Sequence, residues 1–231
     1  MVSELAWLAL EVKYLDPARR FYEETLGLTV SDERDEEVRY AAGEHELVVR
    51  RPSGLPRGGL HTHYACSIPA AEYDDWWDQL DDSFDLEESH FGDVRSLYLY
   101  DPDGNCVELG QRDVVGPGID GIFEIALEVG SLEAAESFYG RLGFETVDRG
   151  SQRRRVRMQG PVALELWEPQ LGIADARGGV HVDVGFEASN PERLADAVAD
   201  AACETESREN EVVIRDPDGH HLTIVDAPTR D

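Results

Sequence analysis

The chain has 231 residues, 21 of them basic and 49 acidic, for a formal net charge of −28. That length allows two small domains with ordinary cores. The acid excess excludes the basic surface that a nucleic-acid partner requires. No apolar run approaches the ~20 residues needed to span a bilayer. The acidic start MVSELAWLALEV does not read as a secretory leader, so a cytoplasmic location is expected. The acids are spread along the whole chain among regularly patterned apolar residues, which excludes a disordered acidic tail. A folded surface of this charge repels itself at low salt and is relieved at high salt, so the acidity reads as adaptation to a salt-rich, halophilic cytosol. The rival reading is an acidic face for a basic partner. Cys66, Cys106 and Cys203 are widely spaced and odd in number, which argues against a disulfide framework or a structural zinc site.

In chain order, residues 5–12 alternate as a strand. Asp16-Pro17 opens a helix, with Asp16 as its cap, and Leu26-Gly27 closes it. Strands are expected at 38–42, 46–51 and 60–67, then a helix at 70–81, then strands at 95–100 and 105–110 around the turn DPDG. The pattern then returns as strand 122–129, helix 131–141, strands 153–158, 162–167 and 180–187, helix 190–202, and strands 211–215 and 220–226.

The return is a tandem duplication. LALEV at 8–12 reappears as IALEV at 125–129, and FYEETLGLTV at 21–30 as FYGRLGFETV at 138–147. GGLH at 58–61 reappears as GGVH at 178–181, and DPDG at 101–104 as DPDG at 216–219. Gly and Pro in DVVGPGI mark a linker at 113–119, between domains 1–112 and 120–231.

Strand alternation sorts the side chains into faces. Leu8, Leu10 and Val12 pack inward, and Trp7, Ala9 and Glu11 point away. Val107 and Leu109 pack, and Cys106 and Glu108 point away. Leu60, Thr62 and Tyr64 share one side of their strand, and His61, His63 and Ala65 the other. A sheet with helices on one face and curvature on the other gathers Trp7, His63 and Glu108 at one concave surface. Arg153, Arg155 and Arg157 share a strand face. They are expected either to ion-pair with the many acids or to dock against the acidic first half or an anionic substrate.

The combination FY…LGL, GGLHTHYACSIP and SLYLYDPDGNCVELG resembles the vicinal oxygen chelate superfamily of glyoxalases, bleomycin-resistance proteins and extradiol dioxygenases. The resemblance implies an α+β fold of paired βαβββ modules whose curved mixed sheets form a cleft, and hence two tandem domains here. It also implies a divalent metal held by a first-strand His, a His after GG and a Glu after DPDG. The matching residues are Trp7, His63 and Glu108. Trp7 cannot ligate, so the third ligand is left to Glu46, as in glyoxalase-like members, or to His61. In the second half the same places hold Glu124, Asp183 and Thr223, with His181 and His221 beside the last two, and that site reads as degenerate.

Three readings of function follow. The first is an extradiol ring-cleaving dioxygenase with Fe(II) on His63 and Glu108, Tyr98 contacting the substrate oxygen and His90 moving protons. The second is a glyoxalase-type lyase or isomerase on Glu46, His63 and Glu108, with Mn(II), Zn(II) or Ni(II). The third is a metal-free binding protein that stacks a flat ligand on Trp7. All three take a small molecule as partner, with no membrane, and the chain acts as a monomer or homodimer.

Overall fold

The computed structural model describes residues 1–52, 59–151, 154–169 and 181–228, and the side chains of 181 and 182 lie outside the description. The chain runs through four βαβββ modules. The first holds β1 (Val2–Glu11), α1 (Leu15–Arg19), β2 (Thr29–Arg34), β3 (Glu37–Ala42) and β4 (His45–Arg50). The second holds β5 (His61–Pro69), α2 (Tyr73–Leu80), β6 (Glu87–Phe91), β7 (Val94–Tyr100) and β8 (Cys106–Arg112). The third holds β9 (Ile122–Glu128), α3 (Leu132–Leu142), β10 (Glu145–Arg149), β11 (Arg155–Gln159) and β12 (Ala163–Trp167). The fourth holds β13 (His181–Ala188), α4 (Pro191–Val198), β14 (Glu204–Arg208), β15 (Glu211–Arg215) and β16 (His221–Asp226). No helix among the described residues is long and apolar enough to cross a membrane.

The modules pair across the two halves of the chain. One eight-stranded sheet runs β14-β15-β16-β13-β1-β4-β3-β2, and the other runs β10-β11-β12-β9-β5-β8-β7-β6. Module one therefore pairs with module four, and module two with module three. The seams are the antiparallel pairs β1·β13 and β5·β9. Neither sheet is a closed barrel.

The alternation expected from sequence decides which face of each sheet is covered. Leu8, Leu10 and Val12 from β1 and its continuation, and Val107 and Leu109 from β8, enter one core cluster shared by both sheets and the helices. Ala9 and Val48 lie on the opposite face of the first sheet with Trp7. The outermost strands β2, β6, β10 and β14 were not expected. Nearly every residue in them is exposed, so they carry no apolar period to read.

The helices are built from local signals. Ser131 caps α3 by accepting from the Ala134 N–H at 3.3 Å, and Asn190 caps α4 with Pro191 in its first turn. Asp16 does not cap α1. The helix starts at Leu15, Asp16 falls in its first turn, and the chain continues as a wider π-helical segment, Arg20–Thr25.

The two repeated motifs of each half grip each other. The Tyr22 hydroxyl donates to Asp101 Oδ2 at 2.8 Å, and the Tyr139 hydroxyl donates to Asp216 Oδ2 at 2.9 Å. The other oxygen of each aspartate accepts backbone N–H groups of its own turn, from Asp103 and Asn105 in one and from Asp218 and His220 in the other. The DPDG aspartates thus close a hairpin and fasten it to the helix carrying the FY motif. A buried hydrogen bond to a charged acceptor is worth about 1.5–3 kcal/mol. In each case the helix and the hairpin belong to different sheets, so the clamp ties the two layers together.

Candidate metal centre

The site forms where β5 lies between its two neighbours. Ala65 of β5 stands opposite Glu108 of β8 on one side and Glu124 of β9 on the other. Two carboxylates thus flank one small residue. The next side chain of β5 over this surface is His63, two residues before Ala65, and a bulge interrupts the strand between His61 and His63. The bulge turns both Thr62 and His63 toward the cleft. His61 is buried beside Tyr64, with ring centroids 6.3 Å apart, and does not line the cleft.

His63 Nε2 lies 3.3 Å from Glu108 Oε2 and 3.3 Å from Glu124 Oε1. One donor atom from each of these three residues falls within 4.8 Å of the others. The surroundings hold the three in place. Thr62 Oγ1 is 3.2 Å from His63 Nδ1, and the Ser96 hydroxyl donates to Glu108 Oε1 at 2.6 Å. Tyr98 stands opposite Glu108 across β7 and β8, hydrogen-bonds to its carboxylate, and sets its ring edge-on to His63 at 5.7 Å. Arg157 ion-pairs with Glu124 and, at 3.0 Å, with Glu165. Glu165 also accepts from the Trp167 indole N–H at 2.9 Å.

The charges are strongly coupled. Burial alone would push the His63 imidazole down, but its hydrogen bonds to Glu108 and Glu124 and the charges of these carboxylates outweigh burial and hold the pKa up at about 9. Burial would likewise raise Glu108, yet His63, Ser96 and Tyr98 hold it below the usual carboxylate range. The Tyr98 hydroxyl is pushed up by burial and by the Glu108 charge. The protonated form of His63 is thus favoured between the two carboxylates. Buried carboxylates braced by hydroxyl donors are the outer-shell pattern of a metal site, and the donor set fits a divalent ion. These groups line a cleft of about 980 Å³ with Phe91, Arg112, Phe123, Arg155 and Trp167.

The other sequence-derived candidates lie apart. Trp7 is in the other sheet and donates from its indole N–H to Asp183 Oδ2 at 2.7 Å. Glu46 is opposite Trp7 in that same sheet, where Ser31 and Arg39 bond to it. His90 points away from the cleft. Its neighbours Glu87, Ser89 and Phe91 line the cleft, whereas His90 pairs with Glu88 at 2.9 Å with its side chain 61 % exposed. His221 lines the smaller cleft of the other sheet, His220 is buried, and the His181 side chain lies outside the described residues. Arg155 and Arg157 pair with Asp148, Glu165 and Glu124, all within the second half, and Arg153 lies outside the described residues.

Glu124 is the member that sequence reasoning did not place with His63. It stands at the first-strand position of the second half, so the duplication had already marked it. The missing information was that β9, rather than β1, lies beside β5.

Residues 4–109 match the model of the Glyoxalase/Bleomycin resistance protein/Dioxygenase superfamily. No curated protein matches the chain. Among solved structures, the fold is similar to a Bacillus subtilis protein provisionally named a dioxygenase, with TM-score 0.76 and 16% identity over 98% of this chain and 86% of that one. It is also similar to glyoxalase I from Zea mays, with TM-score 0.74 and 18% identity over 96% of this chain and 92% of that one. The cppA protein of Streptococcus pneumoniae follows with TM-score 0.62 and 12% identity over 98% and 100%. At these identities the likeness is one of fold.

Proposed function

We propose, from the match of residues 4–109 to the model of the Glyoxalase/Bleomycin resistance protein/Dioxygenase superfamily and from the geometry of the site, that the chain is a divalent-metal enzyme of the lyase or isomerase type, acting on a small molecule with adjacent oxygens. The observation that carries this reading is the donor set. Among the described residues the cluster offers one imidazole and two carboxylates, whereas Fe(II) oxygenases use two imidazoles and one carboxylate. A carboxylate-rich set favours Mn(II) or Fe(II) over softer ions, with Zn(II) and Ni(II) still compatible. Such an ion supplies stabilisation of negative charge on the substrate oxygens.

In this reading His63, Glu108 and Glu124 hold the ion. Ser96 and Tyr98 keep Glu108 ionised and fixed. Glu165 is placed to take and return the proton. It lines the cleft one strand beyond Ala126, and Ala126 is the β9 partner of His63. Phe123 and Trp167 line the cleft as apolar surface for the substrate. The two copies, 1–112 and 120–231 around the 113–119 linker, share this site, with Glu124 supplied by the second. The ring-cleaving reading retains Tyr98, but among the described residues no second imidazole stands at the ligand position, and His90 is on the outer face.

Equilibrium dialysis with Mn(II) and Fe(II) tests this. Wild type should bind one equivalent, and His63→Ala, Glu108→Gln and Glu124→Gln should each lose it. No binding by wild type would favour a metal-free binding protein. Oxygen uptake with catechols by the Fe(II)-loaded chain would restore the dioxygenase.

A further inference from the structure

The large cleft contains a cation that the metal reading does not use. Arg112 lies on the same face of β8 as Cys106, Glu108 and Gly110, and it lines the cleft. In a chain with 49 acids and 21 bases, arginines near carboxylates are the rule. Arg155 and Arg157, across the cleft, are each bound to two acids. Among the described residues, no carboxylate oxygen comes within ion-pair distance of Arg112. Its Nη1 donates to the Gln111 carbonyl at 2.8 Å, which leaves most of the five guanidinium N–H donors for another acceptor.

The strand holds this guanidinium in a set orientation. A Cβ at Gly110 would come within 2.9 Å of the Phe123 ring, so glycine lets that ring lie against the strand. The Arg112 guanidinium then sits over the ring, 3.6 Å from its centroid. Half-burial lowers its pKa, even though the charges of Glu108 and Glu124 act to raise it. The guanidinium is thus partly desolvated and stacked, with no carboxylate in direct ion-pair contact among the described residues. Three residues of strand lie between Arg112 and Glu108, a span of ~13 Å between their Cα atoms. The cleft of about 980 Å³ has room for a ligand that reaches both ends.

We propose that Arg112 receives a carboxylate at the far end of the substrate, which therefore carries adjacent oxygens at one end and a separate negative charge at the other. The chelating end rests on the function proposed above, and the anion end rests on Arg112 alone. A carboxylate can accept two parallel N–H bonds from the guanidinium fork.

The test uses the full chain loaded with Mn(II) and two probes that share an adjacent-oxygen head, 2-oxoadipate and 2-oxohexanoate. They differ in the distal carboxylate. In titration calorimetry wild type should bind 2-oxoadipate about tenfold more tightly or better. Arg112→Gln should lose that preference while keeping its Mn(II) equivalent, and Arg112→Lys should keep only part of it. Equal affinity of wild type for both probes overturns the proposal, as does an undiminished preference in Arg112→Gln. If Mn(II) fails to bind, the metal reading falls separately. The contrast is then read in the metal-free protein with hexanoate against hexanamide, where an Arg112-independent result overturns the anion site.

Discussion

The two sheets present equivalent positions in which the same backbone register carries different chemistry. In one, Ala65 lies between Glu108 and Glu124, with His63 two residues earlier on the central strand. In the other, Gly185 lies between Thr223 and Trp7, with Asp183 two residues earlier. Asp183 thus takes the place of His63, Thr223 that of Glu108, and Trp7 that of Glu124. The second arrangement is closed on itself. Trp7 and Thr223 donate to the two oxygens of Asp183, at 2.7 and 2.8 Å. The Trp7 ring lies so close over the central strand that a Cβ at Gly185 would sit 2.2 Å from it. The adjoining cleft is about 330 Å³. The first arrangement gathers acceptors that need a cation; the second pairs one acceptor with two donors and needs none. The frame fixes where side chains meet, and their donor and acceptor character decides whether the meeting place is a site or a structural knot.

The largest expected contrast is in metal affinity. Removing an outer-shell partner of a metal ligand costs 10–100-fold, so removing a ligand should cost about hundredfold or more. His63→Ala should therefore weaken Mn(II) binding by at least that factor, while Asp183→Ala and Thr223→Val leave stoichiometry and affinity unchanged in dialysis. Loss of metal in the second pair would break the comparison.

A pH effect comes next. Burial raises the Asp183 carboxyl from 3.8 to about 6, although Trp7 and Thr223 act to lower it. The folded state therefore binds more protons than the unfolded chain between about pH 4 and 6, and this group's contribution to stability grows as pH falls through that window. Measured against Asp183→Asn by urea denaturation, wild type should gain relative stability from pH 6 to 4, by about 3 kcal/mol at most. A flat difference would show that Asp183 is not held as described.

The smallest effect is Trp7→Phe. It removes one of the two donors to a buried carboxylate and should cost about 1–3 kcal/mol in urea denaturation without touching metal affinity. A change in metal affinity instead would mean that the two sheets are coupled.

Much of this arrangement was legible in the sequence because burial imposes alternation. Leu8, Leu10 and Val12 against Trp7 and Ala9 fixed the faces of β1, and Val107 and Leu109 against Glu108 fixed those of β8. The repeats revealed the two halves, and the family resemblance implied two modules in each. The edge strands were not legible, since a strand exposed on both faces, such as Glu145–Arg149, has no reason to alternate. The bulge at His61–His63 was not legible either, because it arises from pairing with β9 and leaves no local mark. It separates two histidines that strict alternation puts on one face. Pairing between modules was the largest gap. Alternation says which way Glu124 points but not which strand lies beside it.

That pairing has a consequence for how the molecule holds together. Each seam joins a strand of one copy to a strand of the other. A cut within 113–119 would leave two pieces, each owning half of two different layers and each with its central strands unzipped along one edge. Neither piece could close those edges by itself, and the natural cover for each is the other. Split at that point, the chain should behave as a pair of complementing fragments rather than as two autonomous folding units.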